Sequence, residues 1–403
     1  MDKQILKKTY KYRLYPTQSQ QSILEKHLSL CRWLYNHFLT ERRDTFQKDR
    51  TRISCYGQIK KIPVLKQEKS ELKDVYSQTL QDVVRRLDKA FQNFFRRIKE
   101  NKNSKKQKPS YPRFKGYFRY DSLIYPQSGF ELKVKENKLN LSKIGFLKIE
   151  YHREIEGNIK TLTIRRTNTN KWYACFSTEI HKELPEKKEI KQVIGIDVGL
   201  DSFLTTNQGE KVNNPRYLVQ SEEKLAQIQR WHSRKKLKSL NRQKSRLKVA
   251  RLHEKVASQR LDFLHKLSHK LVSNFQLIAF EKLNIKGMMK NRYLARSIAD
   301  VSWSRFLQML IYKAAEAGIW AVEINPKNTS QVCSGCRKVV KKTLATKTHK
   351  CPQCGLVINR DINAARNILQ LALNTVGTTG INACGVGRLL PTMKQEAIGF
   401  NRW

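Results

Sequence analysis

Four cysteines toward the carboxyl end of the chain have the spacing of a zinc site. They form two Cys-x-x-Cys pairs, Cys333 with Cys336 and Cys351 with Cys354, and fourteen residues separate the pairs. Two such pairs at this separation are typical of a tetrahedral four-thiolate zinc site. Because four thiolates leave no coordination position open, we expect one zinc ion with a structural rather than a catalytic role.

One acidic residue follows this cysteine cluster closely. Six residues separate Cys354 from Asp361, where an amphipathic helical stretch begins. Zinc accounts for the thiolates but not for this aspartate. Asp361 is a candidate metal ligand, and it is equally a candidate N-cap, because Asp is among the residues that cap helices best.

Two further carboxylates belong to apolar runs. Asp197 lies inside the run 193–200 and Glu281 ends the run 277–281, and both runs predict buried strands. A carboxylate is costly to bury without a partner, and hard oxygen ligands suit Mg²⁺. Two such ions about 4 Å apart can activate a water molecule and stabilise the leaving oxygen in phosphodiester cleavage. With Asp361, these acids make a candidate two-magnesium hydrolase site.

Each of these acids also has a purely structural interpretation. Asp197 fits a turn that continues into Gly199, and Glu281 fits a surface pair with Lys282. The spacing along the chain does not place the three acids together, so a common site is a hypothesis at this point. Two other acids are assigned to supporting or structural roles: Asp201 and Glu323.

The charge of the chain indicates the substrate class. The 403 residues include 80 Lys and Arg against 34 Asp and Glu, a formal charge of +46. Such a charge opposes compaction unless a polyanion neutralises it, and nucleic acid is the obvious polyanion. The sequence has no apolar run long enough for a membrane span, no lipidation signal and no signal-peptide core. Cysteines outside the zinc pattern are scattered, which fits a reducing, intracellular setting. Cys31 and Cys175 are expected to be buried core thiols.

The elements that must position these residues follow three patterns. Residues 1–18 alternate apolar and basic side chains, which predicts a strand, and residues 19–109 carry apolar stripes at helical spacing. Short alternating runs over 113–182 predict a small antiparallel barrel or sandwich. Residues 1–18 would belong to it, with the helical segment as an insertion. From residue 193 onward, buried strands alternate with helices, as in an α/β domain.

At the level of motifs, the chain resembles the TnpB-type RNA-guided endonucleases of bacterial and archaeal insertion sequences, which are regarded as ancestral to type V CRISPR effectors. The resemblance extends over nearly the whole chain. Its most specific part is the similarity to three RuvC motifs and a zinc ribbon, carried by VIGIDVGL (193–200), LIAFEKLNIKGM (277–288) and the segment from NTSQVCSGC to CPQCGLVINRDINAARNI.

This resemblance implies a multidomain α+β fold. Its parts would be an RNase H-like RuvC α/β nuclease domain with an inserted zinc ribbon, and an oligonucleotide-binding-like wedge β-barrel with an inserted helical recognition domain. The expected boundaries are as follows: wedge 1–18 and 110–188, recognition domain 19–109, RuvC 189–327 and 356–375, zinc ribbon 328–355, and a loose tail 376–403.

The resemblance also implies an activity. Its catalytic, magnesium-binding acids correspond to Asp197, Glu281 and Asp361. A guide RNA derived from a transposon end would pair with one strand of double-stranded DNA, while the protein reads a short motif beside the target. A single RuvC site would then cut both strands in turn. A monomeric ribonucleoprotein in the bacterial or archaeal cytoplasm, associated with the nucleoid, is expected.

Six residues are candidates for contacts with nucleic acid. Gln78 and Gln81 lie three apart on one face of a basic helix, and glutamine can bond to an adenine edge. Their alternative is a solvated helix surface. Tyr117, Phe118 and Tyr120 could stack on bases, with packing in the core as the alternative. The complete candidate set is Gln78, Gln81, Arg85, Arg113, Lys115 and Arg119.

Three rival functions share parts of this pattern. The first is a compact type V CRISPR effector, which genomic repeats rather than transposon ends would identify. The second is a nuclease-inactive RNA-guided DNA-binding repressor, which would be expected to lack one or more of the acids. The third is a transposase that joins strands through its acid triad, and cleavage independent of RNA would favour it.

Overall fold

The structure is a computed structural model that describes residues 4–103, 109–183, 185–343 and 346–379. Within these ranges the chain forms two compact units. The first, here the N-terminal unit, spans Ile5–Lys182. The second, here the C-terminal unit, begins at Glu183 and contains all the described residues that follow.

The N-terminal unit combines one sheet with three long helices. Its helices are α1 (Gln18–Asp49), α2 (Cys55–Glu68) and α3 (Ser77–Asn103), with short 3₁₀ turns at Ser70–Asp74 and Tyr117–Arg119. Its strands are β1 (Gln4–Tyr15), β2 (Ser122–Pro126), β3 (Phe130–Lys133), β4 (Lys138–Leu141), β5 (Gly145–Glu150), β6 (Asn158–Arg166) and β7 (Trp172–Lys182).

The strand order shows how β1 joins the later strands. The seven strands follow the order β2-β6-β7-β1-β5-β4-β3, so β1 is central although three helices separate it from the rest in sequence. The pairs β2–β6, β6–β7, β1–β5, β5–β4 and β4–β3 are antiparallel. The domain boundaries assigned from sequence stay predictions.

Local sequence signals explain where these helices begin and what they bury. Thr17 caps α1: its hydroxyl accepts from the amide of Gln20, whose side chain accepts from the amide of Thr17. This reciprocal capping satisfies two amides that would otherwise lack partners at the start of the helix. The expectation that Cys31 is a core thiol is confirmed, as it is for Cys175 on β7. Apolar stripes on α1 and α3 supply much of this core, including Leu24, Leu28, Leu34, Leu80, Val84 and Leu87.

The C-terminal unit is a mixed α/β structure. Its strands are β8 (Val193–Val198), β9 (Ser202–Thr206), β10 (Lys211–Asn213), β11 (Leu277–Glu281), β12 (Trp320–Ile324), β13 (Thr348–Lys350) and β14 (Val357–Asn359). Its helices are α4 (Tyr217–Gln220), α5 (Glu222–Ser233), α6 (Leu240–Asn274), α7 (Ile285–Met288), α8 (Ala295–Val301), α9 (Trp303–Ala317) and α10 (Arg360–Thr379).

A five-stranded sheet forms the centre of this unit. Its order is β10-β9-β8-β11-β12, with β8 in the middle. The hairpin strands β9 and β10 run antiparallel beside β8, whereas β8, β11 and β12 are mutually parallel. The two apolar runs singled out in the sequence, 193–200 and 277–281, therefore contain neighbouring strands of one sheet. Strands β13 and β14 form a separate antiparallel hairpin that leads into α10.

Helix α10 continues through Thr379, four residues into the segment 376–403 that was expected to be a loose tail. The apolar side chains Ile368 and Ala372 of α10 are fully buried beside the sheet. The remainder of that tail, 380–403, and Cys384 with it, lies outside the described residues. Among the described helices, none combines the length and apolarity needed to cross a membrane.

Candidate metal centres

The register of the central sheet makes Asp197 and Glu281 neighbours. Strands β8 and β11 are parallel, and Ile196 of β8 is paired with Phe280 of β11. The next residue on each strand is therefore the acid, Asp197 on one and Glu281 on the other. Residues in register on adjacent strands direct their side chains to the same face. Both carboxylates thus lie at the carboxyl edge of one sheet, on one face.

A glycine on β8 determines how the third acid approaches. Gly195 precedes Asp197 by two residues and so faces the same side of the sheet. A Cβ atom placed on Gly195 would lie 2.3 Å from the carbonyl oxygen of Ala365 and 2.7 Å from the Cβ of Leu369, both on α10. The absence of a side chain therefore allows α10 to lie directly on the strand. Asp361 stands one helical turn before Ala365, on the side of α10 that faces β8.

Electrostatics indicate that the three acids have converged. Burial raises the pKa of Asp197 well above its ordinary value of 3.8, and the nearby carboxylates of Glu281 and Asp361 raise it further. The guanidinium of Arg360 acts in the opposite direction. Burial also raises the pKa of Glu281, while a hydrogen bond from Thr329 lowers it. Repulsion of the Asp197 carboxylate by the other two is therefore part of this site.

Asp361 is not the N-cap of α10, and Asp197 does not lie in a turn. The side chain of Asn359 accepts a hydrogen bond of 2.9 Å from the amide of Asp361, so Asn359 caps α10 and Asp361 lies in its first turn. The Asp361 carboxylate accepts a 3.3 Å bond from Arg360. Asp197 lies within β8, paired with Thr205, and not in a turn.

The alternative for Glu281 is also not the arrangement found. Lys282, its sequence neighbour, pairs at 3.9 Å with Glu323 instead. Asp201 forms an exposed ion pair with Lys347. Glu281 instead accepts a hydrogen bond from the hydroxyl of Thr329, and the residue is half-buried.

The four cysteines are arranged as a tetrahedral zinc site requires. Their sulfur atoms all lie within 4.8 Å of one another. The Cys333 and Cys354 sulfurs are 3.6 Å apart, and the Cys336 and Cys351 sulfurs are 3.5 Å apart. A tetrahedral site with Zn–S bonds of about 2.3 Å places sulfurs about 3.8 Å from each other. The sulfur positions therefore fit one Zn²⁺ with four thiolate ligands.

The donor atoms of the three acids are less tightly clustered. Among the described residues, the cysteines form the only group of three or more candidate ligands whose donor atoms all lie within 4.8 Å. The oxygens of Asp197, Glu281 and Asp361 therefore do not meet that criterion together. The three carboxylates nevertheless supply the hard oxygen donors that suit Mg²⁺, and a divalent cation would offset the repulsion that Asp197 meets from the other two.

In the N-terminal unit, a cavity brings three of the six nucleic-acid candidates together. It has a volume of about 490 Å³ and is lined by Gln78, Gln81 and Arg85 of α3. Lys160 and Glu179 contribute from the sheet. The two glutamines therefore line a concave surface and are not spread over an open helix face.

The other three candidates lie on the segment between α3 and β2. Lys115 is held against α1, where the side chain of Asn36 donates a 3.0 Å bond to its carbonyl and accepts a 2.7 Å bond from its amide. Arg113 and Arg119 are exposed. Tyr117 and Phe118 are 52% and 51% exposed, whereas Tyr120 is 3% exposed. For Tyr120, packing in the core and not base stacking is therefore the structural role.

Four residues around the acids were not singled out from sequence. They are Gly195, Thr329, Asn363 and Asn367. The two asparagines are fully buried on α10, and Thr329 lies four residues before the first zinc ligand. A usable signal was present in the sequence: asparagines two and six residues after Asp361 interrupt an otherwise apolar helix face.

Three family models match the chain. One described as "Probable transposase" (OrfB of the IS605 type) matches residues 175–292, and one described as "Cas12f1-like, TNB domain" matches residues 303–368. A third, described as "Helix-turn-helix domain", matches residues 1–51. In this third region the described residues form strand β1 followed by the single long helix α1.

Curated relatives match over almost the full length. A Streptomyces pristinaespiralis protein named "Putative RNA-guided DNA endonuclease" is 34% identical, over 95% of this chain and 92% of its own length. The chain belongs to the TnpB-type family of RNA-guided DNA endonucleases. A second family member, InsQ of Escherichia coli K12, is 29% identical over 89% of this chain and 91% of its own. The TnpB-type chain is also 26% identical to a Cas12f1 endodeoxyribonuclease of Sulfoacidibacillus thermotolerans, over 49% of this chain and 50% of that one.

Proposed function

We propose that this chain is an RNA-guided DNA endonuclease whose single nuclease site is formed by Asp197, Glu281 and Asp361. The observation that carries the proposal is that the register of β8 with β11 and the approach of α10 to Gly195 bring acids from three distant segments to one edge of the central sheet. Perturbed acids that converge at the edge of a sheet are typical of functional sites. The names of the full-length relatives support the same activity.

Mg²⁺ is the proposed catalytic cofactor, and the carboxylates of Asp197, Glu281 and Asp361 would hold it. When bound, the cations supply Lewis-acid chemistry, which makes a water molecule nucleophilic and stabilises the leaving oxygen of a phosphodiester. The protein positions the ligands: β8 and β11 fix Asp197 and Glu281 in register, and α10 delivers Asp361. The three residues are half-buried rather than fully enclosed, which is compatible with the approach of a DNA phosphate.

We also propose that the C-terminal unit is an RNase H-like RuvC domain carrying the zinc ribbon, and that the N-terminal unit combines the wedge and recognition domains. The mixed sheet with β8 at its centre supports the first assignment. Support for the second is that β1 shares a sheet with β2–β7, while α1–α3 intervene in sequence.

The proposed partners are a transposon-end-derived guide RNA and double-stranded DNA, bound by a monomeric protein. The formal charge of +46 supports a polyanionic partner. The cavity lined by Gln78, Gln81 and Arg85 is the proposed reader of the motif beside the target, because glutamine can bond to an adenine edge and Arg to a guanine edge. Arg113, Lys115 and Arg119 are proposed backbone contacts.

The rivals predict different behaviour. A type V CRISPR effector shares the chemistry, and the partial similarity to Cas12f1 keeps it as the second candidate. A nuclease-inactive repressor would bind DNA without cutting, yet all three acids remain in this chain. A strand-joining transposase would act without RNA.

The test is to express the protein with its flanking genomic DNA, purify it from cells and sequence the bound RNA. The purified complex is then given Mg²⁺ and plasmids that carry matched or scrambled targets. We expect an RNA that ends at a transposon boundary and cleavage of the matched plasmid only. An RNA from a repeat array would transfer the chain to the CRISPR alternative. Cleavage that persists after ribonuclease treatment would contradict guidance.

A further inference from the structure

Thr329 connects the start of the zinc ribbon to a proposed catalytic acid. It is 4% exposed and lies four residues before Cys333. Its hydroxyl donates a hydrogen bond to Oε1 of Glu281, and the carbonyl oxygen of Pro326 is a second acceptor 3.1 Å away. A hydroxyl that donates to a carboxylate restricts the orientation of that carboxylate, because the charged acceptor makes a strong bond. Thr329 therefore fixes the direction in which the Glu281 oxygens point.

Two buried asparagines join the ribbon to α10, the helix of the third acid. Asn367 donates through Nδ2 to the carbonyls of Thr329, at 2.8 Å, and Val332, at 2.7 Å. Asn363, one turn nearer Asp361, donates to the same Val332 carbonyl at 2.8 Å. Both side chains are almost completely buried, at 2% and 0% exposure.

The same asparagines also contact the zinc knuckle, that is, the turn over residues 333–337 that carries the first two zinc ligands. Asn363 accepts a 2.9 Å bond from the amide of Ser334, the residue directly after the ligand Cys333. Asn367 accepts a 3.2 Å bond from the guanidinium of Arg337, directly after the ligand Cys336. Each asparagine thus bonds both to the segment that leads into the ribbon and to a residue adjoining a thiolate.

We propose that Thr329, Asn363 and Asn367 are positioning residues that make the geometry of the nuclease site depend on the zinc-loaded ribbon. The inference rests on the proposed function of the three acids. Zinc fixes the knuckle, the asparagines hold α10 against it, and α10 carries Asp361. Through the carbonyl of Thr329, the same network holds the hydroxyl that orients Glu281. The simpler alternative is that the asparagines only satisfy buried carbonyls, as buried polar groups usually do.

The sharpest test replaces only the Thr329 hydroxyl. Thr329→Val keeps the shape and loses the hydrogen bond, whereas Thr329→Ser keeps the bond and loses a methyl group. Hydrogen-bond partners of metal ligands typically change metal affinity or activity by about 10–100-fold. We expect Thr329→Val to need about 10-fold or more Mg²⁺ for half-maximal single-turnover cleavage, and Thr329→Ser to resemble the unmodified protein. Zinc content and RNA binding should be the same in all three.

A binding readout separates this inference from the proposed function. Mn²⁺ titration by calorimetry, on the same purified complexes and with the Asp197→Ala complex as the reference for Mn²⁺ bound to RNA, measures occupation of the carboxylates without any cleavage. Weaker Mn²⁺ binding in Thr329→Val but not in Thr329→Ser supports the positioning role even if no target is cut. Equal Mn²⁺ affinity and equal Mg²⁺ requirement in both variants would overturn it, while cleavage by the unmodified complex would still support the proposed function.

A second variant tests the zinc side of the network. Asn367→Asp keeps the side-chain shape but removes the Nδ2 donor that bonds two carbonyls. We expect faster amide hydrogen exchange over residues 360–364 and about 10-fold weaker Mn²⁺ binding, with one zinc ion still present. If exchange over this turn and Mn²⁺ affinity are both unchanged, the ribbon does not position the helix and the proposal fails.

Discussion

The two metal centres of the C-terminal unit differ in how the chain builds them. The zinc ligands come from one short segment and converge through two tight knuckles, with sulfur atoms 3.5 and 3.6 Å apart in two of the pairs. The three acids come from β8, β11 and α10, which are far apart in sequence. Only the register of the sheet and the packing of α10 against Gly195 bring them together. The first centre is specified locally, and the second depends on the entire unit.

This difference has an energetic counterpart. Four thiolates around one Zn²⁺ form a closed site that contributes to folding. The carboxylates at Asp197, Glu281 and Asp361 are partly buried beside one another, so they oppose folding until a cation binds. A structural metal site and a catalytic one are therefore expected to respond in opposite ways when their ligands are removed.

The largest expected effect is on cleavage. Asp197→Ala removes the acid whose pKa is raised by both Glu281 and Asp361. We expect target cleavage to fall by at least about 1,000-fold, because several kcal/mol of charge stabilisation in the transition state would be lost. RNA binding should be retained because no basic surface changes. The matched control is Asp201→Ala, an exposed acid four residues later that pairs with Lys347. It should cleave within about twofold of the unmodified protein. Cleavage retained by Asp197→Ala would remove this residue from the site.

The next effect separates the zinc site from the nuclease site. Cys351→Ser removes one ligand, and we expect the zinc content to fall from one ion toward none and the thermal midpoint to fall by about 5 °C or more. Cys55→Ser is the matched control, because Cys55 is a free, partly buried thiol on α2. Mass spectrometry under native conditions gives the zinc content. A Cys351→Ser protein with full zinc and an unchanged midpoint contradicts a four-cysteine structural site.

A smaller effect concerns the contact that brings the acids together. In Gly195→Ala the new methyl group would meet the Ala365 carbonyl oxygen at 2.3 Å, so α10 must shift. Overpacking of this kind costs about 1–3 kcal/mol of the free energy of unfolding. Cleavage should fall with it because Asp361 moves. Gly116→Ala is the control, since a Cβ atom there meets nothing within 4 Å. Urea denaturation that gives equal stabilities for the two variants would show that α10 does not depend on this glycine.

The smallest expected effect is a gain in thermal stability, whereas the preceding variants lose stability or cleavage. The pKa of Asp197 is raised in the folded protein, so the folded state holds more protons than the unfolded state between pH 3.8 and the raised value. Stability therefore falls as the pH rises through that window and stays lower above it. Asp197→Asn removes this penalty, and in Mg²⁺-free buffer at pH 7 its thermal midpoint should rise by about 2–4 °C.

The control residue for this effect is Asp201, whose pKa is shifted in the opposite direction to that of Asp197. Lys347 lowers the pKa of Asp201, so Asp201→Asn should give no rise in the midpoint. The gain of Asp197→Asn should also disappear below about pH 3.8, where the carboxyl group is protonated in both states. A midpoint of Asp197→Asn at or below that of the unmodified protein at pH 7 would show that the three acids do not repel one another.

The sequence predicted the zinc site more completely than the site of the three acids. For zinc, the Cys-x-x-Cys spacing was sufficient, because ligand geometry is set within each knuckle. For the acids, apolar runs located Asp197 and Glu281 on buried strands, but their proximity depends on strand order and register, which no local pattern specifies. Their assignment as a triad came from resemblance. Thr329 and Asn367 were missed because their hydrogen bonds join segments that lie far apart in the chain.

The same limit applies in the N-terminal unit. The alternation in residues 1–18 predicted a strand, and apolar stripes predicted helices, because both periods are visible locally. That Tyr120 is buried while Tyr117 and Phe118 are exposed could not be read from their spacing. The hydroxyl of Tyr120 accepts a 3.1 Å bond from Arg86 on α3, and only the folded chain reveals this long-range partner.

The proposed nuclease site needs the three distant acids to share divalent cations at the edge of the central sheet. Anomalous diffraction from crystals of the RNA complex grown with Mn²⁺ tests this most directly, because manganese and zinc are distinguished by their absorption edges. We predict zinc at Cys333, Cys336, Cys351 and Cys354, and manganese within about 2.3 Å of an Asp197 oxygen and of Glu281 or Asp361. Manganese elsewhere, or none in contact with Asp197, would contradict the account.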